Sequence, residues 1–253
     1  MLFVTLGCSF TIGERLFYHK WAESNMSEID KKELIAAADD INATKNHNPS
    51  DFVWSTATWK DWVYMRDKSY SGLLSKTLNC EYLTNSSNNV NNIHYQIPSY
   101  VHNSGLFPSR KLNFIILQLT EPLRDFDTRF EKQPNECSKE EFLELYGKIS
   151  QLTLEEVDRA NKLCSENNIH LLVWSWLDEL AEVLKDKHYF IKLREGNKEW
   201  ISFEDMQRDG KKVELSQSLK EYACTDGHPN KYFNQVLHDS IVIKLNSMGY
   251  NIN

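Results

Sequence analysis

The sequence is poor in cysteine and glycine and contains no long apolar run. Its five cysteines form no CxxC pair and no even-numbered framework, which argues against a disulfide-stapled secreted fold. No stretch approaches the ~20 apolar residues that span a membrane. The apolar start, residues 1–6, is shorter than the segment of about 7–15 residues in a secretory signal. We therefore expect a cytoplasmic protein with free thiols and no membrane association.

Positive charge is also scarce. The chain has 29 Lys and Arg against 36 Asp and Glu, which gives a net charge of −7. No dense Lys/Arg cluster is visible along the sequence, and binding to nucleic-acid phosphates needs a basic surface. We expect no nucleic-acid partner. The length of 253 residues and the hydrophobic content of 41% suit one large globular domain that carries insertions.

Apolar strands alternate with amphipathic helices along most of the chain. The patterns predict strands at 2–6, at the start of 81–89, and at 114–119 and 170–176. They predict helices at 27–41, 69–79 and 228–249, and one or two helices at 138–168. This order predicts an α/β fold, a three-layer α/β/α sandwich with a mostly parallel central sheet. We interpret it as a single domain over 1–253, with an aromatic-rich insertion at about 17–68 and an irregular polar one at about 185–215.

Ligands of such sheets bind at the carboxyl ends of the strands. The first strand ends in Gly7-Cys8-Ser9, and the other three predicted strands also end in polar residues. Near the end of the chain, CTDGHPN (224–230) places Asp226 two residues before His228. A serine nucleophile needs a base, usually an imidazole, and the imidazole needs an acceptor that orients it. The alternative for TDGHPN is an ordinary turn, since Asp-Gly and Pro are common turn residues.

Together, the two motifs resemble those of the SGNH (GDSL-like) hydrolase family. The first family block carries the nucleophile in a Gly-Asp-Ser-like element, which reads Gly7-Cys8-Ser9 here. The last block carries an Asp and a His before the final helix, which correspond to Asp226 and His228. The usual spacing is Asp-x-x-His, whereas this chain has Asp-x-His. The resemblance implies an α/β/α fold and a Ser9-His228-Asp226 triad that needs neither cofactor nor metal.

The resemblance also implies an oxyanion hole. Its donors are the backbone N–H of Ser9, a backbone N–H near Asn85, which stands in place of the family's glycine, and the Thr120 hydroxyl, in place of the family's asparagine. Asn88 is a further candidate donor. Loss of one such donor slows acyl transfer roughly 100–1,000-fold.

Two residues near the predicted strand ends are candidates for substrate binding. Arg124 either holds an anionic group or pairs with a carboxylate such as Asp125 or Asp127. Trp176 either forms an aromatic floor for a sugar ring or packs in the core.

Cys8 and His238 are weaker candidates for chemistry. Side chains of adjacent strand residues point apart, so Cys8 beside Ser9 is interpreted as a buried thiol. His228 and His238 are ten residues apart, which is not a metal-ligand spacing, and we expect no metal.

The sequence therefore predicts a serine ester hydrolase of esterase or acetylesterase type. Its substrate is a small acyl ester, and a carbohydrate ester is one option. Two alternatives stay open. One is a binding protein that keeps the fold with weakened catalysis, and the other is an acyltransferase that uses the same triad.

Overall fold

The computed structural model describes residues 1–8, 66–104, 111–130, 132–209 and 231–252. Its centre is a sheet of four parallel strands in the order β2-β1-β3-β4. The strands are β1 Leu2–Gly7, β2 Glu81–Ser86, β3 Leu112–Leu119 and β4 His170–Ser175. The parallel sheet confirms the predicted α/β class. β1, β3 and β4 coincide with predicted apolar runs, and β2 coincides with the short strand predicted at the start of 81–89.

The strands share one register, so their carboxyl ends form one rim. Leu6 pairs with Asn85 on one side and with Leu117 on the other, and Leu117 pairs with Val173. Beyond β4, Phe190 forms an isolated parallel bridge with Val173 and extends the sheet by a short fifth segment. We call the end of the sheet at Gly7 the carboxyl rim.

Helices and a hairpin complete the described structure. The α-helices are α1 Tyr70–Leu78, α2 Ile97–Asn103, α3 Phe126–Phe130, α4 Lys139–Glu166, α5 Asp178–Leu184, α6 Phe203–Asp209 and α7 Lys231–Ser247. A π-helical stretch, Asn91–Gln96, precedes α2, and 3₁₀ turns span Pro122–Asp125 and Pro134–Glu136. The antiparallel hairpin consists of β5 Leu193–Glu195 and β6 Lys198–Trp200.

Alternate residues of the strands point to opposite faces of the sheet, and each face has its own hydrophobic core. Phe3 and Phe114 stack at 5.0 Å on the face that α1 and α7 cover. Val4 and Ile115 point to the other face, which α2 and α4 cover. Each fully buried side chain of this size contributes about 1.5–3 kcal/mol. The two cores make the molecule a three-layer α/β/α sandwich.

Local signals explain where several helices begin and end. The Ser69 hydroxyl accepts the Gly72 N–H at 3.2 Å and begins α1, and the Ser138 hydroxyl accepts the Glu141 N–H at 3.2 Å and begins α4. The predicted helix at 138–168 is thus one continuous helix. In α7, Phe233, Leu237, Ile241 and Leu245 are all buried, as their spacing predicts.

Two parts of the chain differ from the sequence interpretation. Residues 89–103 are helical, although we predicted no helix there. The segment 185–215, interpreted as irregular, contains the β5–β6 hairpin and α6, and Trp200 and Phe203 pack into the core. The predicted helix at 27–41 lies outside the described residues.

Candidate functional site

The carboxyl end of β1 lies at the topological switch point of the sheet, where the connections to its two neighbouring strands run in opposite directions. Because β1 lies between β2 and β3, the chain runs outward from it on both sides, to β2 first and then to β3 and β4. Such a switch point is where ligands of open α/β sheets bind. Gly7 and Cys8 occupy it, and Ser9 is the next residue in the sequence.

Cys8 is held in place by Gln118, a residue that sequence analysis missed. The Cys8 N–H donates to Gln118 Oε1 at 3.2 Å, and Gln118 Nε2 lies 3.3 Å from the Cys8 thiol. Both side chains are fully buried. Cys8 is therefore a buried thiol, as predicted. The available signal for Gln118 was a polar residue within the apolar run 114–119.

The loop after β2 is closed by its own asparagines. Asn85 lies inside β2, paired with Leu6, and its side chain accepts the Ser86 N–H at 2.8 Å. The Asn88 side chain accepts the Asn91 N–H at 2.9 Å and donates to the Arg124 carbonyl at 3.2 Å. Asn88 thus begins the helical stretch and ties it to the turn after β3.

Thr120 lies at the end of β3, beside this loop. Asn89 and Thr120 bind reciprocally: the Thr120 N–H donates to Asn89 Oδ1 and Asn89 Nδ2 donates to the Thr120 carbonyl, both at 3.0 Å. The two residues are fully buried. Within the described ranges the Thr120 hydroxyl has no hydrogen-bond partner. Its backbone is therefore fixed, while its hydroxyl remains an unused donor.

Asp125 and Asn92 make two further hydrogen bonds at these strand ends. Asp125 Oδ1 accepts the Val90 N–H at 3.0 Å, and Asn92 Nδ2 donates to the Gly7 carbonyl at 3.0 Å. Burial raises the pKa of the Asp125 carboxyl, although the Val90 N–H and the charge of Arg129 act in the opposite direction. The ends of β1, β2 and β3 are thus joined by side-chain to backbone hydrogen bonds.

Arg124 and Trp176 lie at the same rim in different environments. The Arg124 side chain is exposed and forms no ion pair with another described residue. The Trp176 side chain is half-buried against the core. Its backbone N–H donates to the Leu119 carbonyl at 3.2 Å, and its backbone carbonyl accepts the Glu204 N–H at 3.0 Å. Among the side chains that the structure describes, none pairs with the Arg124 guanidinium, whereas the Trp176 backbone is fixed to β3 and α6.

Helix α7 begins at the carboxyl rim. Helix α1 ends just before β2 starts, so its first turn lies toward the rim, and Asn234 of α7 accepts the N–H of Tyr70 there at 2.8 Å. Further along, Thr77 Oγ1 lies 2.8 Å from His238 Nε2, so the two helices run in the same direction. His228 precedes the first residue of α7 by three positions.

The structure does not describe the three residues of the predicted catalytic triad. Ser9, Asp226 and His228 lie outside the described residues. The other predicted site residues are described. Of these, Asn88, Thr120 and Arg124 lie around Asn89, Asn85 lies within β2, and Trp176 lies next to the end of β3.

A buried ion cluster lies on the α4 side of the sheet, and sequence analysis missed it. The Glu156 carboxylate accepts two hydrogen bonds from Arg129, at 3.0 and 2.5 Å, and lies 2.8 Å from His94 Nε2. Burial raises the pKa of Glu156, but the hydrogen bonds from Arg129 and His94 outweigh it and bring that pKa below its usual range. The cluster joins the π-helical stretch and α3 to α4.

Comparison with known proteins identifies no relative: no family model, curated protein or solved structure matches this chain. In the described part of the chain, no helix is both long and apolar enough to cross a membrane. Within those same residues, no three His, Cys, Asp or Glu side chains are grouped where a metal ion would bind.

Proposed function

We propose that the protein is a serine ester hydrolase that acts on a small acyl ester such as an acetyl ester. In this mechanism Ser9 Oγ attacks the ester carbonyl while His228 takes the serine proton. The tetrahedral intermediate collapses, and His228 returns the proton to the departing alkoxide. Water then attacks the acyl-enzyme with the same help from His228, which releases the acid and restores Ser9. Asp226 orients the imidazole.

The position of two described elements supports this proposal most strongly. Cys8, directly before Ser9, and Phe233, in the first turns of α7, pack in the same core layer. Phe233 also contacts Trp174, the penultimate residue of β4, at 5.6 Å between ring centroids. The two segments that carry the predicted nucleophile and base are therefore attached to elements that meet at one rim.

The Thr120 hydroxyl gives separate support for an oxyanion site. It is a buried donor with no partner among the described residues, at the end of the strand next to β1. An oxyanion that forms on a substrate at the rim gains from donors that are already fixed, because no reorganisation is needed. The Ser9 N–H and the Asn85–Asn88 loop are the other proposed donors.

Labelling with a fluorophosphonate probe tests the nucleophile. We expect the wild-type protein to be labelled and to hydrolyse p-nitrophenyl acetate, and we expect Ser9→Ala to do neither. Ser165→Ala, which changes an exposed serine near the end of α4, is the matched control and should retain labelling. A wild-type protein that is folded but neither labelled nor active contradicts the proposal.

A second candidate function is ligand binding at the same rim without turnover. Asn85 is paired within β2, and the Asn88 side-chain amide already donates to the Arg124 carbonyl. Neither residue is therefore placed like the loop glycine whose backbone N–H donates to the oxyanion in the family that the motifs resemble. The exposed Arg124 side chain then becomes the main anchor for an anionic ligand. An unlabelled wild type whose ligand affinity falls in Arg124→Gln favours this function.

A further inference from the structure

A cavity of about 260 Å³ lies at the far end of α7 from the carboxyl rim. We call it the basic pocket, because five cationic side chains line it: Lys185, Lys187, Lys192, Arg194 and Lys244. No carboxylate is among the lining residues that the structure describes. In a chain with a net charge of −7, this is an unusual local concentration of positive charge.

The neighbouring carboxylates do not neutralise the basic pocket. Lys185 pairs with Glu182, Lys187 pairs with Asp158 at 3.0 Å, and Lys192 and Arg194 share Glu199 at 3.3 and 2.6 Å. Lys244 has no ion pair with any residue that the structure describes. The charge of Asp186 also acts on Lys185. Five cations thus face four described carboxylates, and the pocket keeps a surplus of one positive charge.

The fold holds Arg194 and Lys244 near each other. The buried Ser240 hydroxyl, one turn before Lys244 on α7, accepts the Arg194 N–H at 2.8 Å and donates to the Val236 carbonyl at 2.7 Å. Arg194 is thereby fixed to the helix that carries Lys244. Burial lowers the pKa of Lys244, and the charge of Arg194 lowers it further. An anion that binds between two like charges held this close relieves their mutual repulsion and stabilises both charged forms.

We propose that the basic pocket binds a small phosphorylated molecule, such as a phosphate monoester. Its volume lies just below the roughly 300 Å³ at which pockets for drug-sized ligands begin, so it suits a phosphate group with a compact body. Arg194 Nε and Nη2 already bind Glu199, so its Nη1 group is the part that meets a phosphate oxygen, and the lysines supply point charges around the other oxygens. The Phe190 and Ile191 side chains line the pocket as well and offer apolar contact.

The same lysines have a simpler alternative role. The segment around Phe190 is the outermost one paired to β4, and lysines beside a sheet edge prevent other chains from adding to it. In that case the lysines have no specific ligand. The two roles make different predictions for anion binding.

Isothermal titration with inorganic pyrophosphate, at constant ionic strength, tests the proposal on the full chain. We expect a dissociation constant below about 1 mM and at least tenfold weaker binding in Lys244→Gln. Lys192→Gln is a second variant that leaves α7 unchanged and should also bind more weakly. Lys148→Gln, on the exposed surface of α4, is the matched control and should bind like the wild type.

Two results would overturn the proposal. One is the absence of saturable heat with folded wild-type protein, and the other is equal affinity in the wild type, Lys244→Gln and Lys192→Gln. Either leaves the lysines with the role of protecting the sheet edge. Ser9→Ala should bind pyrophosphate normally, so this experiment tests the basic pocket independently of the proposed esterase site.

Discussion

At the scale of single residues, Gly72 shows how closely the first turn of α1 is packed. A Cβ added at this position would lie 1.9 Å from the Arg66 carbonyl oxygen, which is backbone and cannot rotate away. Gly147, on the exposed side of α4, has no atom within 4 Å of the same added carbon. The two glycines therefore form a matched pair for one substitution.

We expect Gly72→Ala to lower the free energy of unfolding by about 1–3 kcal/mol, because the backbone must shift to accept the methyl group. Gly147→Ala should raise it by about 0.5–1 kcal/mol, because alanine loses less entropy in a helix. Urea unfolding followed by circular dichroism measures both. Equal effects at the two positions would show that Gly72 is not tightly packed.

Thr120 allows a second test at this scale, and it depends on the proposed function. Thr120→Val removes the hydroxyl and keeps the shape of the side chain. The hydroxyl has no partner among the described residues, so stability should change by less than about 1 kcal/mol. Ester turnover should fall roughly 100–1,000-fold if the hydroxyl holds the oxyanion. A destabilised variant with normal turnover would assign Thr120 a structural role only.

At the scale of elements, the cluster of Glu156, Arg129 and His94 connects three helical pieces around one buried carboxylate. Glu156→Gln breaks the charge pair and leaves Arg129 buried, so we expect a loss of about 3–5 kcal/mol at pH 7. Glu155→Gln is the control, because its pair with Arg159 is exposed on the same helix and should matter little.

The pH dependence of this effect has a definite sign. The pKa of Glu156 is lower in the folded protein than its ordinary value of 4.5, so its stabilising contribution is complete above about pH 4.5. It is lost as the pH falls through the folded value. The difference in unfolding free energy between wild type and Glu156→Gln should therefore shrink below that pH. A difference that stays constant down to acid unfolding would contradict the lowered pKa.

The elements also show what the sequence predicts and what it does not. Apolar runs and caps located all four strands, α1, α4 and α7. The helix at 89–103 was missed because asparagines and Pro98 hide its apolar face of Ile93, Ile97 and Val101. These residues recur every fourth position, so the periodic signal was present but weak. Tertiary packing against α4 stabilises a segment of low intrinsic propensity.

At the scale of the whole molecule, tertiary folding creates features that have no linear signal. The Asn89–Thr120 contact joins residues 31 positions apart in sequence, and the strand pairs that set the strand order join residues 56 or more positions apart. Four of the five cations of the basic pocket lie within residues 185–194, which sequence analysis did not single out, and tertiary folding adds Lys244 from α7. The polar strand ends were predictable because each lies directly after an apolar run.

Thiol chemistry offers a probe of the whole molecule. Of the cysteines that the structure describes, Cys8 and Cys164 are fully buried, whereas Cys80 and Cys137 are partly exposed. Burial raises the pKa of the Cys164 thiol to about 12. We expect maleimide to modify Cys137 rapidly and Cys164 only at the rate of global unfolding, as followed by mass spectrometry of proteolytic peptides. Rapid modification of Cys164 in native buffer would show that the α4 layer opens locally.

The central place of β1 in the sheet has a consequence for synthesis on the ribosome. Leu2 pairs with Glu81 and with Leu112, so β1 is translated before both of its neighbours and can pair with neither until many more codons have been read. During that interval an apolar ribbon with two unpaired edges leaves the exit tunnel, which favours association with other nascent chains or with chaperones. The layout that brings Gly7 and Cys8 to the centre of the rim thus makes β1 wait for both of its neighbours.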